Sequence, residues 1–258
     1  MMMLSSFYVK CFIGIYVDGG TIYVSVLRFK NHSDIELEES SFIFDESLES
    51  LVAYLQKFHD LTPYCYTSLL NTDLRQGALS TCILSKAMLN NRSVGNSRTI
   101  CIDEEWMNYL DEEAYATMIE RFKNIAPDMI YIPFSLIHLI FKEKMSSAHS
   151  IYILYLKDSA SLVIAKESSL RAAKQFDVNS GDLSLQIADM LNKYYSRPCC
   201  QGEFIEHVYI ADASDSAEQL RASLSKLLLV DATLIDVLPA QLCAIAGAKE
   251  LGYEPQFS

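Results

Sequence analysis

Residues 12–24 read FIGIYVDGGTIYV, and the tetrapeptide DGGT at 18–21 separates two runs of apolar, β-branched and aromatic residues. An Asp-Gly pair between two such runs predicts a β-hairpin, because glycine readily adopts the positive φ of tight hairpin turns. Residues 35–44 then mix apolar and acidic side chains in alternation, which is typical of an antiparallel strand with one solvent-exposed face. Asp45 predicts the cap of a helix over 46–59. The chain is therefore expected to begin with three strands and a helix.

The same order of elements returns in the second half of the chain. Hydrophobic patterning predicts five strands there, at 150–156, 162–166, 169–176, 208–211 and 234–237. It predicts three helices between and after them, at 181–195, 216–228 and 240–251. Two halves that each begin with a β-hairpin predict an α/β protein with a duplicated β-β-β-α-β-α unit.

The region between the two hairpins has a less regular pattern. Strands are predicted at 64–70, 99–102 and 129–132 and a helix at 134–144, whereas 79–89 fits either a helix or a strand. The spacing of apolar residues predicts a long helix over 104–125, capped by Asp103. Aromatic residues among its carboxylates favour core packing, with a protein interface as the alternative. The predicted domains are residues 1–126, with a small inserted segment around 62–102, and residues 127–258.

Composition excludes several classes of function. The chain has 33 acidic and 21 basic residues and a net charge of −12, which argues against direct binding to nucleic acid. Seven scattered cysteines without a C-x-x-C pair favour reduced thiols, and five separated histidines predict no metal site. Nine glycines in 258 residues is about half of the average share, so few are available for phosphate-binding loops. No Walker loop, nucleophile elbow or Gly-x-Gly-x-x-Gly motif occurs.

Four stretches of the chain carry a resemblance to a known superfamily. They are 12–24, 125–136, 152–176 and the carboxy-terminal segments 208–224 and 239–252. Their order resembles the actin, hexokinase and Hsp70 superfamily of ATPases. Within it, they most resemble the actin-like assembly proteins of type IV pili and type II secretion systems, the PilM and GspL cytoplasmic-domain families. The resemblance implies two subdomains around a nucleotide cleft.

The nucleotide motifs depart from those of the superfamily. Its phosphate hairpins carry an aspartate on the first strand, and the resemblance places Tyr16 and Tyr155 at those positions. Glycine remains only in the first of the three loops. We therefore expect no efficient ATP hydrolysis, no catalytic residue and no required cofactor, with ATP and Mg²⁺ left open. The residues that the resemblance still places in a vestigial cleft are Asp18, Gly19, Gly20, Thr21, Asp158, Ser159 and Asp212. As ordinary turn residues they need no ligand.

The resemblance also implies a role and partners. It implies a non-catalytic cytoplasmic scaffold of a bacterial pilus, secretion or DNA-uptake machine, located at the inner face of the inner membrane. The implied partners are the cytoplasmic tail of an inner-membrane assembly protein and the secretion ATPase, and a homodimer is left open. Membrane contact is expected only through partners or through a span beyond this chain. Two alternatives from other classes are a small-molecule kinase resembling type III pantothenate kinases and a polymerising actin-like filament protein.

Overall fold

The computed structural model of the chain describes residues 9–253, apart from 31–33, 46, 74, 81–96, 102–105, 146–147, 198–199, 201–202 and 215–216. The chain divides into two compact units. The first comprises residues 1–71, 116–131 and 238–258, and the second comprises 72–115 and 132–237. Both units are discontinuous in sequence. The boundary after residue 126 and the insertion around 62–102 stay predictions about the duplicated halves.

The described elements are groups of strands separated by helices. From the amino terminus they are β1 (Lys10–Asp18), β2 (Thr21–Phe29), β3 (Ile35–Ile43), α1 (Glu49–Leu61), β4 (Tyr64–Leu70), β5 (Gln76–Ser80), β6 (Ser97–Cys101), β7 (Trp106–Asp111), α2 (Glu112–Arg121), β8 (Met129–Tyr131), α3 (Pro133–Met145), β9 (His149–Tyr155), β10 (Ser159–Lys166), β11 (Ser169–Asp177), a short 3₁₀ helix (Val178–Ser180), α4 (Leu183–Tyr195), β12 (His207–Asp212), α5 (Glu218–Leu228), β13 (Ala232–Asp236) and α6 (Pro239–Glu250).

The first unit is built on a five-stranded sheet in the order β3-β2-β1-β4-β8. Strands β1, β2 and β3 are antiparallel neighbours, whereas β4 runs parallel to β1 and β8 runs parallel to β4. Helix α6 lies directly on this sheet, because Gly14 of β1 has no side chain and α6 is rich in alanine. A methyl group at Gly14 would overlap the carbonyl oxygen of Ala240. The Ser68 hydroxyl is 2.9 Å from the Ile13 carbonyl oxygen and 3.0 Å from that of Cys243, which ties β4 to both neighbours.

The second unit contains a sheet with the same order, β11-β10-β9-β12-β13. Again three antiparallel strands are followed by two parallel ones. Large aliphatic side chains fill its core between the sheet and helices α4 and α5; Ile151, Ile153 and Ile187 are fully buried there. The predicted duplication of the β-β-β-α-β-α order is therefore confirmed.

A third sheet of three antiparallel strands, β5-β7-β6, also belongs to the second unit. The helix predicted over 104–125 is wrong in its first part, because 106–111 form strand β7. Its residues alternate in burial, and Trp106 is fully buried with its Nε1 donating to the Ser168 carbonyl oxygen at 3.0 Å. The predicted cap at Asp103 lies outside the described residues. Asp111 begins the helix instead, because its Oδ1 accepts the backbone N–H groups of Glu113 and Ala114 at 3.1 Å.

The helix predicted over 46–59 is displaced toward the carboxy terminus. It begins at Glu49, and Asp45 accepts the Leu48 backbone N–H at 2.6 Å from outside the helix. The predicted strand at 64–70 is confirmed, and the helix predicted at 134–144 is confirmed as Pro133–Met145. Four cysteines, Cys11, Cys65, Cys200 and Cys243, are free thiols. Among the described residues, no helix is both long and apolar enough to cross a membrane.

Candidate functional site

The β1–β2 hairpin brings four predicted site residues together in the first unit. Asp18 and Thr21 face each other as the last strand pair, and Gly19 and Gly20 form the two-residue turn between them. Gly19 has a φ of 62°, the left-handed region in which glycine meets no steric cost. The Gly20 carbonyl oxygen accepts the Phe44 backbone N–H at 2.7 Å, which fixes the turn. Their role in binding a nucleotide stays a prediction.

Tyr16 lies two residues before Asp18, at the position where the resemblance implies an aspartate. Its side chain is 4% exposed. Its ring is stacked on that of its cross-strand partner Tyr23, with centroids 6.0 Å apart and planes inclined by 22°. Aromatic cross-strand pairs stabilise a sheet by packing. This position therefore contributes to the sheet and supplies no carboxylate.

The corresponding hairpin of the second unit has a different turn, without glycine. The Leu156 backbone N–H donates to the Ser159 carbonyl oxygen at 2.8 Å, which closes the turn around Asp158. The Asp158 carboxylate accepts a hydrogen bond from Asn179 Nδ2 at 3.3 Å. Ser159 is buried as the first residue of β10. Tyr155, at the second implied aspartate position, packs against the aliphatic core beneath α4 and α5.

The loop after β12 is organised by the carboxylate of Asp212, whose residue is 7% exposed. Oδ1 accepts the backbone N–H and the hydroxyl of Ser214, both at 2.8 Å. Oδ2 accepts the backbone N–H of Ala217 at 2.9 Å, immediately before helix α5. Both carboxylate oxygens are therefore used to fold the loop and to start the helix.

Two of the three predicted loops lie at one edge of the second sheet. Strands β9 and β12 are parallel neighbours, and Tyr155 is opposite Asp212 in their register. Asp158, Ser159 and Asp212 thus come from the same edge, whereas the group around Asp18 belongs to the first unit. Among the described residues, no three His, Cys, Asp or Glu side chains form a group suited to a metal ion.

A cavity in the second unit was not anticipated from the sequence. It has a volume of about 390 Å³ and lies among β5, β11 and α4. Its wall includes four cationic side chains, Arg171, Lys174, Lys193 and Arg197. They come from a strand, from a helix and from the loop that follows the helix. The sequence gives little indication of this cavity. Arg171 and Lys174 are brought close to Lys193 and Arg197 only by the packing of α4 against β11.

A polar network adjoins this cavity. The Tyr194 side chain lines the cavity, and its hydroxyl lies 3.0 Å from Nε2 of the buried His149. Burial lowers the pKa of His149 and raises the pKa of the Tyr194 phenol, so both groups are kept neutral near pH 7. Lys166 Nζ lies 2.8 Å from Glu203 Oε1, and this ion pair lowers the pKa of Glu203. The network is suited to fixing the end of α4.

Solved structures with the same fold provide an independent comparison. One, from Bacteroides thetaiotaomicron, is described as a protein with an actin-like ATPase fold and unknown function. It is 14% identical over 95% of this chain and 98% of that chain, with a TM-score of 0.56. Another is the PilM–PilN type IV pilus biogenesis complex, which is 13% identical over 94% of each chain with a TM-score of 0.52. The predicted actin-like ATPase fold is therefore confirmed.

Comparisons of sequence give a family rather than an activity. A search of curated proteins found no match. A model described as a domain of unknown function, DUF8341, matches residues 180–251, which cover α4 to α6. A second model, also described as a domain of unknown function, DUF8569, matches residues 8–138, just over half of the 258 residues. The chain therefore belongs to the DUF8569 family and has an actin-like ATPase fold.

Proposed function

We propose that this chain is a non-catalytic adaptor of a bacterial type IV pilus, type II secretion or DNA-uptake machine. In this role it docks the cytoplasmic tail of an inner-membrane assembly protein, together with the secretion ATPase, at the cytoplasmic face of the inner membrane. The observation that carries the proposal is the aromatic pair Tyr16 and Tyr155. Each occupies a position where the resemblance implies a carboxylate, and each is packed into its own sheet.

The absence of a carboxylate at these positions has a direct chemical consequence. Phosphoryl transfer to water requires groups that position Mg²⁺ and orient the attacking water molecule. A neutral phenol packed against aromatic or aliphatic neighbours is a poor ligand for Mg²⁺, which prefers carboxylate, carbonyl and water oxygens. Asp212 has a nearly buried carboxylate that could in principle bind Mg²⁺. Its two oxygens, however, already accept three hydrogen bonds from its own loop.

The docking part of the proposal is supported by the likeness to the PilM–PilN complex, whose name describes an assembly of two pilus biogenesis proteins. A fold of this kind offers strand edges to an extended peptide, which binds there through main-chain hydrogen bonds. Strand β3 is the outer strand of the first sheet, and Ile43 at its end is 85% exposed. This edge is our candidate for the contact with a partner's tail.

The test of the catalytic part is a measurement of Mg-ATP binding and hydrolysis by the purified chain. We expect no turnover above that of a heat-denatured sample. Hydrolysis that is lost in an Asp18→Ala variant would overturn the non-catalytic assignment. Asp236→Ala is a suitable control, because Asp236 is exposed at the end of β13 and belongs to none of the three loops.

The docking part is tested by photocrosslinking of this chain to its partners in the cells that express it. A photocrosslinking residue at Ile43 is expected to capture an inner-membrane assembly protein, and a synthetic peptide of that protein's cytoplasmic tail is expected to bind the purified chain. Crosslinks only to unrelated proteins, or a tail peptide that does not bind, would contradict the docking role. Leu229, which is 89% exposed and belongs to the second unit, provides the matched control position.

The Gly19-Gly20 turn favours a second candidate, a small-molecule kinase resembling the type III pantothenate kinases. No atom lies within 4 Å of a methyl group placed on Gly20, so the turn is open on that side as a phosphate loop requires. A screen of small hydroxyl-bearing acceptors with ATP would identify this activity. A phosphorylated product whose formation depends on Asp18 would replace the adaptor proposal with this one.

A further inference from the structure

The cavity of the second unit lies along the edges of two strands. Its wall includes residues 78–80 of β5 and the five consecutive residues 170–174 of β11. Successive side chains of a strand point to opposite faces, so a cavity that touches five in a row lies beside the strand and not on one face. Both strands are outer strands of their sheets. Each strand therefore has one edge that is not paired within its own sheet.

The charge of the cavity is opposite to the charge of the chain. Its wall has four cations, Arg171, Lys174, Lys193 and Arg197, and no acidic residue. Among the described residues, the one carboxylate in an ion pair with these cations is Asp189, 2.6 Å from Lys193. Four cations less one paired carboxylate leave three positive charges around the cavity. The whole chain carries a net charge of −12, so this concentration of positive charge is local.

A β-bulge directs one of these cations. The register between β10 and β11 shifts so that Ile164 is opposite Ala172 and Ala165 is opposite Leu170. Arg171 is thereby the extra residue, without a partner position on β10. A bulge of this kind turns its residue away from the regular alternation and is frequent beside binding sites. The side chain of Arg171 is exposed at the cavity and not buried under the sheet.

We propose that this cavity binds a small organic diphosphate, or a compact anion with two phosphate groups. Two guanidinium groups supply the planar forks that bind phosphate oxygens bidentately, and two ammonium groups add charge. Ala172, Leu79 and Met190 provide apolar wall for the organic part. A volume of about 390 Å³ falls within the range of small-molecule sites. The site is separate from the three loops of the nucleotide motifs and does not depend on the adaptor role.

The experiment uses the full chain and inorganic pyrophosphate as the probe, without Mg²⁺ and at constant ionic strength. Isothermal titration is expected to give saturable binding of one pyrophosphate per chain. The double variant Arg171→Gln/Arg197→Gln is expected to weaken that binding at least about tenfold, because each guanidinium makes charge-assisted bonds. Arg221→Gln is the matched control, since Arg221 is on α5 and not in the wall of the cavity.

The outcomes separate this proposal from the alternatives. Saturable binding that is weakened in the double variant and unchanged in Arg221→Gln supports it. Absence of saturable binding up to millimolar pyrophosphate overturns it. Equal weakening in all variants indicates nonspecific attraction and also overturns it, as does unchanged binding in the double variant. Thermal unfolding of each variant without probe verifies folding, and Lys174→Gln is a milder second variant if the double variant unfolds.

Discussion

The two five-stranded sheets share one strand order and differ in what covers them. In the first, α6 approaches β1 so closely that only glycine fits at position 14. In the second, a cluster of fully buried aliphatic side chains, with Ile151, Ile153 and Ile187 among them, fills the core between the sheet and helices α4 and α5. The hairpins also differ in their turns. Gly19-Gly20 forms the turn of the first hairpin, whereas the turn of the second contains Asp158 and no glycine. A duplicated topology therefore constrains strand order much more strongly than it constrains side chains.

The close packing of α6 on the first sheet can be tested at Gly14. Gly14→Ala is expected to destabilise the chain by about 3 kcal/mol or more, because the added methyl group meets backbone and the α6 main chain must move. The Ala244 backbone nitrogen, 2.6 Å from the position of that methyl group, cannot rotate away as a side chain would. Chemical denaturation measured by circular dichroism gives the free energy of unfolding.

Gly20→Ala is the control for this substitution. A methyl group at Gly20 meets no atom within 4 Å, so we expect a change in the free energy of unfolding below about 1 kcal/mol. Equal stability of the two alanine variants would contradict the close approach of α6 to β1.

In the second sheet, the carboxylate of Asp212 holds the loop at the carboxyl edge. Asp212→Ala is expected to cost about 2 kcal/mol, because it removes the three hydrogen bonds that a nearly buried carboxylate accepts from the loop before α5. Asp236→Ala, at the exposed end of the neighbouring strand, is expected to change stability by less than about 0.5 kcal/mol. A stable Asp212→Ala variant that had lost Mg-ATP binding would instead assign Asp212 to a ligand site.

These differences explain which features the sequence predicted. Periodicity predicted the two hairpins and most helices, because local patterning is determined by which face is buried. The prediction from periodicity was wrong at 106–111, where a strand with alternating burial precedes the helix. The mixed aromatic and acidic residues of this segment also fit a helical period, so the pattern did not distinguish the two. The packing role of Gly14 was not predictable, because α6 is more than two hundred residues away in sequence. The cationic cavity was missed for the same reason, since β5, β11 and α4 meet only in the fold.

The aliphatic packing of the second sheet is expected to tolerate small losses of volume. Ile153→Val removes one buried methylene group and should cost about 1 kcal/mol, well below the effect at Gly14. Ile43→Val, at an 85% exposed position, serves as the control and should be close to neutral. A loss at Ile153 as large as that at Gly14 would show that both sheets are packed with equal strictness and would remove the contrast between them.

The smallest expected effect concerns the first residues of the two equivalent strands. Lys10 begins β1, with its ammonium group 4.2 Å from the centroid of the Tyr253 ring, and His149 begins β9 in a buried site. Burial lowers the pKa of His149 below its ordinary value of 6.5, so the folded chain keeps it neutral where the unfolded chain binds a proton. Since the unfolded state then binds more protons, this group's contribution to stability is complete above pH 6.5 and declines as pH falls below it.

The test compares how steeply the free energy of unfolding changes with pH in each variant. The absolute free energy of unfolding at one pH is not compared. Between pH 7.5 and 5.0, wild type is expected to lose more unfolding free energy than His149→Gln, whereas His59→Gln, at an exposed histidine, should follow wild type. In the folded chain, Lys166 lowers the pKa of Glu203 below its ordinary value of 4.5, so this carboxylate stays ionised there throughout the range. Parallel curves for wild type and His149→Gln would mean that His149 titrates alike in both states. The burial of His149 at the start of β9 would then make no contribution to the pH dependence of stability.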